Sequence, residues 1–161
     1  MKRSLFLVCV FFSTSMFSQT AYKTDFSGTW KMISRKAVYP TPLKSLVYTI
    51  IQQGNAIEIT SVRDGKKDKV KYLINGENQI IGFSNATSET TAKAYWEGDA
   101  LNIEITQNNT EEPMGAPTRV AISMTSRYLE RYTMSGDGKT LTLTRRNLQT
   151  KDQTIYVFEK Q

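Results

Sequence analysis

From Gly28 onward, apolar residues alternate with polar ones at a period of two, segment after segment, and Gly, Asn and Asp interrupt them at short intervals. Successive side chains on a strand point to opposite faces, so this is the pattern of half-buried antiparallel strands. No segment carries the period of a helix of any length. The spacing predicts strands at 28–38, 46–53, 56–62, 67–74, 78–84, 90–97, 100–107, 118–134, 139–147 and 153–160, which is ten, or eight if two pairs merge or fail. Gly54-Asn55-Ala56-Ile57-Glu58-Ile59-Thr60 echoes the run from Gly98 to Thr106 with one residue inserted, and Gly138 to Thr144 is a weaker copy. Repeated hairpin chemistry explains these echoes better than propeller blades, of which only about three would fit.

The turns sort by parity. Gly54-Asn55, Asn75-Gly76, Gly98-Asp99 and Ser135-Gly136-Asp137-Gly138 are tight connections of the kind that tolerate positive φ. Most of the alternate connections are longer: 39–45, with Tyr39, Pro40, Pro42 and Leu43; 85–89; and 108–117. Arg63-Asp64-Gly65 is a short exception. In an up-and-down meander alternate connections share an end, so the expectation is a single antiparallel barrel of eight to ten strands. One end is closed by tight turns and the other is rimmed by loops. Closing the sheet removes its edges, and the interior either fills with side chains or holds one small ligand.

Alternation also assigns faces. Trp30 and Met32 point inward, opposite Lys31 and Arg35. Ile57 and Ile59 share an apolar face, as do Val70, Tyr72 and Ile74; Ala92, Ala94 and Trp96; and Leu101, Ile103 and Ile105. The strand at 46–53 is apolar on both faces and has no assigned inside. On the eighth strand Val120, Ile122, Met124, Tyr128, Glu130, Tyr132 and Met134 fall together, opposite Arg119, Ser123, Arg127 and Arg131. Arg145 falls with Leu141 and Leu143.

The first residues break the pattern. Lys2 and Arg3, an apolar run from Leu5 to Phe12 and a small-polar stretch ending at Ser18 read as a cleaved export signal at 1–18, with the cut before Gln19. The apolar run is too short to cross a bilayer, and Cys9 after Val8 is a poor site for lipid attachment. The expected organisation is therefore signal 1–18, lead-in 19–27 and barrel 28–161, exported to the periplasm or beyond. Without its signal the chain carries a net charge of +4 with no charged run, which suits solubility and implies no nucleic-acid partner. No later segment reads as a transmembrane helix.

The one Cys lies in the signal and the chain has no His. Thiol nucleophiles, disulfides, Cys/His zinc sites and imidazole bases are thereby excluded, and no cofactor or metal is expected. Carboxylate, Lys, Arg, Tyr and Ser/Thr remain. Glu111-Glu112 read as a solvated loop tip.

Asp25-Phe26-Ser27-Gly28-Thr29-Trp30-Lys31 resembles the Gly-x-Trp opening of lipocalins and related calycin barrels, and of bacterial exported lipocalin-like domains. The resemblance implies that Gly28 lets the chain turn into the first strand, that Trp30 plugs the closed end, and that a basic residue of the last strand packs across it. Lys160 is the nearest match, where lipocalins usually carry Arg; a Lys cannot stack or fork its hydrogen bonds in the same way, which points to a looser relative.

The chemistry concentrates on Glu130 and Arg145. If residue 136 pairs with 139, Glu130 lies opposite Arg145; if the turn centres on Gly136-Asp137, Tyr128 does. Three readings fit. Arg145 with Tyr128 or Tyr132 could anchor a ligand's carboxylate or headgroup in a cavity lined by Tyr72 and Trp96. Glu130 and Arg145 could satisfy each other and bind nothing. The strand could also twist or bulge and expose them. The functional expectation is a non-enzymatic barrel holding a small apolar or amphipathic molecule; the alternative is a filled barrel that serves as a structural or interaction module for an envelope protein. A carboxylate-based hydrolase or isomerase at Glu130 is a distant third. The oligomeric state is not legible.

Overall fold

The computed structural model describes residues 23–38, 42–85, 88–111 and 122–161. The export segment and the start of the lead-in, Tyr39, Pro40, Glu112 and Arg119–Val120 lie outside them. The ten strands are β1 (Gly28–Ala37), β2 (Leu46–Gln53), β3 (Ala56–Arg63), β4 (Lys66–Leu73), β5 (Asn78–Asn85), β6 (Ser88–Glu97), β7 (Ala100–Glu111), β8 (Ile122–Met134), β9 (Thr140–Asn147) and β10 (Gln153–Lys160). They form one sheet in the order β4-β3-β2-β1-β10-β9-β8-β7-β6-β5, an up-and-down meander whose first and last strands pair. β7 runs four residues beyond its expected end because it stays paired with β8 out to Glu111 and Ile122.

Closure is incomplete. β4 and β5 lie side by side in the ring but do not pair, so two edges remain where the alternation led us to expect none. The Gln79 side chain bridges the gap near the Asn75-Gly76 turn: its Nε2 donates to the Leu73 carbonyl at 3.0 Å and its Oε1 accepts from the Leu73 amide at 2.9 Å. One side-chain amide thus stands in for a strand partner. Farther along, β4 presents exposed Lys67, Lys69 and Lys71 beside its open edge. A lysine-rich edge resists pairing with another chain.

The core fills the tight-turn end. Trp30, Phe26, Phe158, Leu101, Ile103, Leu141 and Leu143 are buried there and along the adjoining walls. The indole of Trp30 donates to the Phe26 carbonyl at 2.9 Å, and Lys160 Nζ lies 5.2 Å from the centre of its ring. Gly28 has φ +141, and a Cβ there would come within 2.8 Å of Lys160 Cε. Glycine is required both for the turn into β1 and for this close approach. The backbone of Gln161 and Lys160 ties back to Thr29 and Lys139, so the end of the chain is stitched into the same plug.

One face assignment is corrected. Met32 pairs with Phe158, yet Ser34 pairs with Val157 and Arg35 with Tyr156. The bulge inserts one residue and reverses the alternation, so Arg35 shares the inner face with Tyr156 instead of lying opposite Trp30. Its guanidinium sits 5.6 Å from the Tyr156 ring centre.

Candidate functional site

The β8–β9 connection selects between the two registers. Gly138 N donates to the Ser135 carbonyl, Ser135 N donates to the Thr140 carbonyl, and Gly138 takes φ +70. The loop holds four residues between Ser135 and Thr140, which is not the two-residue turn the first register assumed, but the pairing comes out the same. Glu130 faces Arg145, Tyr132 faces Leu143 and Tyr128 faces Asn147.

Glu130 is buried, at 8% exposure. Its Oε2 accepts a hydrogen bond of 2.8 Å from the Tyr132 hydroxyl, and its Oε1 lies 3.6 Å from Arg145 Nε. The second contact is an ion pair too long for a hydrogen bond. Arg145 lies over Tyr128, with Cζ 4.4 Å from its ring centre, and its side chain is 30% exposed. Its Nε is buried with no hydrogen-bond partner among the described residues, and none of these residues accepts from its terminal nitrogens. The pair is therefore joined by charge, while the arginine keeps its donor capacity.

Both residues line an interior cavity of about 480 Å³. Apolar contributions come from Ile59, Val70, Ile81 and Ile105; polar ones come from Tyr48, Tyr72, Tyr132, Ser61, Thr90 and Gln107. Exposed Arg63, Asp68 and Lys69 mark where the cavity reaches the surface along β3 and β4. The barrel is not filled. Burial pushes the Tyr132 phenol well above its ordinary value, reinforced by the negative charge of Glu130. Burial does the same to Tyr48 and Tyr72, again with Glu130 adding to the shift, so all three remain neutral hydroxyls.

The rim is braced at Asp64-Gly65, where both residues take positive φ in the manner of a type I′ turn. The Asp64 carboxylate accepts from the amides of Lys44 and Ser45 at 3.0 and 2.8 Å, which ties the β3–β4 turn to the segment entering β2. Leu43 packs on the core and Pro42 is exposed.

Of the residues singled out from the sequence, Arg145, Glu130, Tyr132 and Tyr72 converge on the cavity, and Tyr128 supports Arg145 from below. Trp96 does not join them. It lies two residues before the Gly98-Asp99 turn, stacks on Phe26 with ring centres 5.9 Å apart, and carries Lys23 Nζ 5.4 Å from its own centre, so it belongs to the closed end. Gly28, Trp30 and Lys160 meet in the plug described above. Sequence reasoning missed Tyr48. The signal was present, because the Gly54-Asn55 turn pairs Ile50 with Ile59 and thereby places Tyr48 on the inner face opposite Ser61. Among the described residues no group of three metal-ligating side chains converges, and no helix is long and apolar enough to cross a membrane.

No family model matches the chain, and no curated protein does. Among solved structures it is similar to the zebrafish ileal bile acid-binding protein complexed with cholic acid, with a TM-score of 0.57 and 16% identity over 84% of this chain and 98% of that one. Likeness at that identity shows architecture: the chain folds as a nearly closed antiparallel up-and-down β-barrel.

Proposed function

We propose that this protein is an exported, non-enzymatic lipocalin-like barrel that binds a small amphipathic molecule in its interior, with Arg145 holding an anionic headgroup. The observation that carries the reading is the open cavity of about 480 Å³, within the range of ligand sites, against which Arg145 retains donors without acceptors. The Tyr128 ring buttresses the guanidinium, and Glu130 is already engaged by Tyr132. A charge-assisted bond to a carboxylate is about twice as strong as a neutral one. The solved structure with the similar barrel holds cholic acid, an amphipathic carboxylate, which supports the same ligand class here. A filled interaction module finds less support, because the interior is open.

The test is a titration with the fluorescent fatty acid cis-parinarate. Saturable binding is expected, weakened about tenfold by Arg145→Ala, a loss of about 1.4 kcal/mol. Glu130→Gln removes the competing negative charge and is expected to tighten the same binding several-fold. Absence of saturable binding overturns the reading, and indifference to Arg145→Ala overturns the anchor. For export, mass spectrometry of the protein recovered outside the cytoplasm is expected to find a mature chain beginning near Gln19.

A further inference from the structure

The geometry points to a ligand that carries oxygen functions along its body as well as an acid group, recognised by the Tyr48 and Tyr72 hydroxyls on β2 and β4, strands other than the one that carries Arg145. This inference rests on the ligand-binding reading above and specifies its chemical class.

Tyr48 and Tyr72 are 7% and 6% exposed, and both line the cavity. Among the described residues neither hydroxyl has a hydrogen-bond partner, whereas that of Tyr132 is spent on Glu130. Buried polar groups are almost always satisfied, so two buried phenols facing open space need partners from within it. In the free protein water takes that role. The walls also matter. β4, which carries Tyr72, lies across the ring from β9, which carries Arg145, and β2 with Tyr48 lies between them on one side. Ser61 and Thr90 extend the polar surface, while the apolar lining is confined to Ile59, Val70, Ile81 and Ile105.

A plain alkyl chain bound at Arg145 would displace the water on Tyr48 and Tyr72 and return no hydrogen bond, leaving two buried donors unsatisfied. A hydroxyl, ether or carbonyl oxygen on the part of the ligand that meets β2 and β4 accepts from them instead. Both phenols are held neutral by burial, so they act as donors throughout the physiological range. The chemical class is thus an oxygenated amphipathic acid, hydroxylated or carbonyl-bearing, in preference to an unsubstituted fatty acid.

Isothermal titration of the protein with stearate and with 9,10-dihydroxystearate, each below its aggregation concentration, tests this directly. The dihydroxy acid is expected to bind about tenfold tighter. Tyr48→Phe and Tyr72→Phe are each expected to narrow that preference and together to abolish it, without weakening stearate. Thermal unfolding of the free variants, expected to match the parent, shows that the fold is retained. Equal affinity for the two acids, or tighter binding of stearate, overturns this inference and leaves the cavity reading intact. A preference that survives both Phe substitutions overturns the role of the phenols. Failure of both acids to bind overturns the two readings together.

Discussion

The two ends of the barrel solve opposite problems with the same strands. At the tight-turn end Trp30, Phe26 and Trp96 pack together and the polar groups among them are engaged: the Trp30 indole bonds a carbonyl, Lys160 lies over a ring, and Gln79 satisfies both backbone groups of Leu73. Toward the loops the inner face turns polar: Tyr48, Tyr72 and Arg145 line open volume, and among the described residues Arg145 Nε has no hydrogen-bond partner. One end is packed and the other open. Substitutions at the two ends should therefore separate, with the first set moving unfolding and the second moving binding.

Trp30→Ala should have the largest effect. Emptying the centre of the plug is expected to cost about 3–5 kcal/mol in chemical denaturation, the range for deleting a large buried aromatic. A loss below about 1 kcal/mol would remove the division between the ends. Gly28→Ala comes next. It forces a residue with a side chain to φ +141 and pushes Lys160 off Trp30, so a loss of about 1–3 kcal/mol is expected. Binding in whatever fraction remains folded should be unchanged.

Acid provides the finest probe. The side-chain hydroxyl and then the backbone amide of Ser27 hold Asp25 below the ordinary aspartate value; the Ser135 hydroxyl and then the Lys139 amide do the same for Asp137. Hydrogen bonds from Arg131 and Asn102 lower Glu97. All three carboxylates sit at the tight-turn end. A depressed folded value means that the stabilisation is present above the ordinary carboxylate range and is lost as the pH falls through the folded values. The thermal midpoint should therefore hold steady from about pH 8 to pH 5 and decline below about pH 4. Asp25→Asn with Asp137→Asn should flatten that decline by a small margin; an unaltered acid limb would show that these turns do not contribute.

Much of this was legible in advance because period two and turn chemistry are local signals. Eight to ten strands, the tight-turn end and two candidate registers, one of which sets Glu130 opposite Arg145, follow from alternation and from Gly, Asn and Asp at fixed offsets; the loop from Ser135 to Thr140 chose between the registers. The failures are equally specific. Arg35 turned inward because a bulge at Ile33–Ser34 inserted one residue, and no residue type there announces a bulge. Trp96 shares its face with Ala92 and Ala94, yet alternation says which side a residue faces and not how far along the axis it lies, so its place in the plug was hidden. Tyr48 was recoverable only by carrying the β3 assignment across the turn.

By itself the sequence determined the class of fold, the strand order as a meander and the absence of imidazole from its residues, since these depend on residue type and short-range spacing. Only the tertiary structure decided that β1 pairs with β10 while β4 and β5 stay apart, that the interior holds a cavity beside its core, and that Tyr48 and Tyr72 line it. The physical reason is closure. Whether a ring of strands fills its middle depends on how side chains from opposite walls meet, and residues on opposite walls of the barrel have no relation in sequence that a pattern could report.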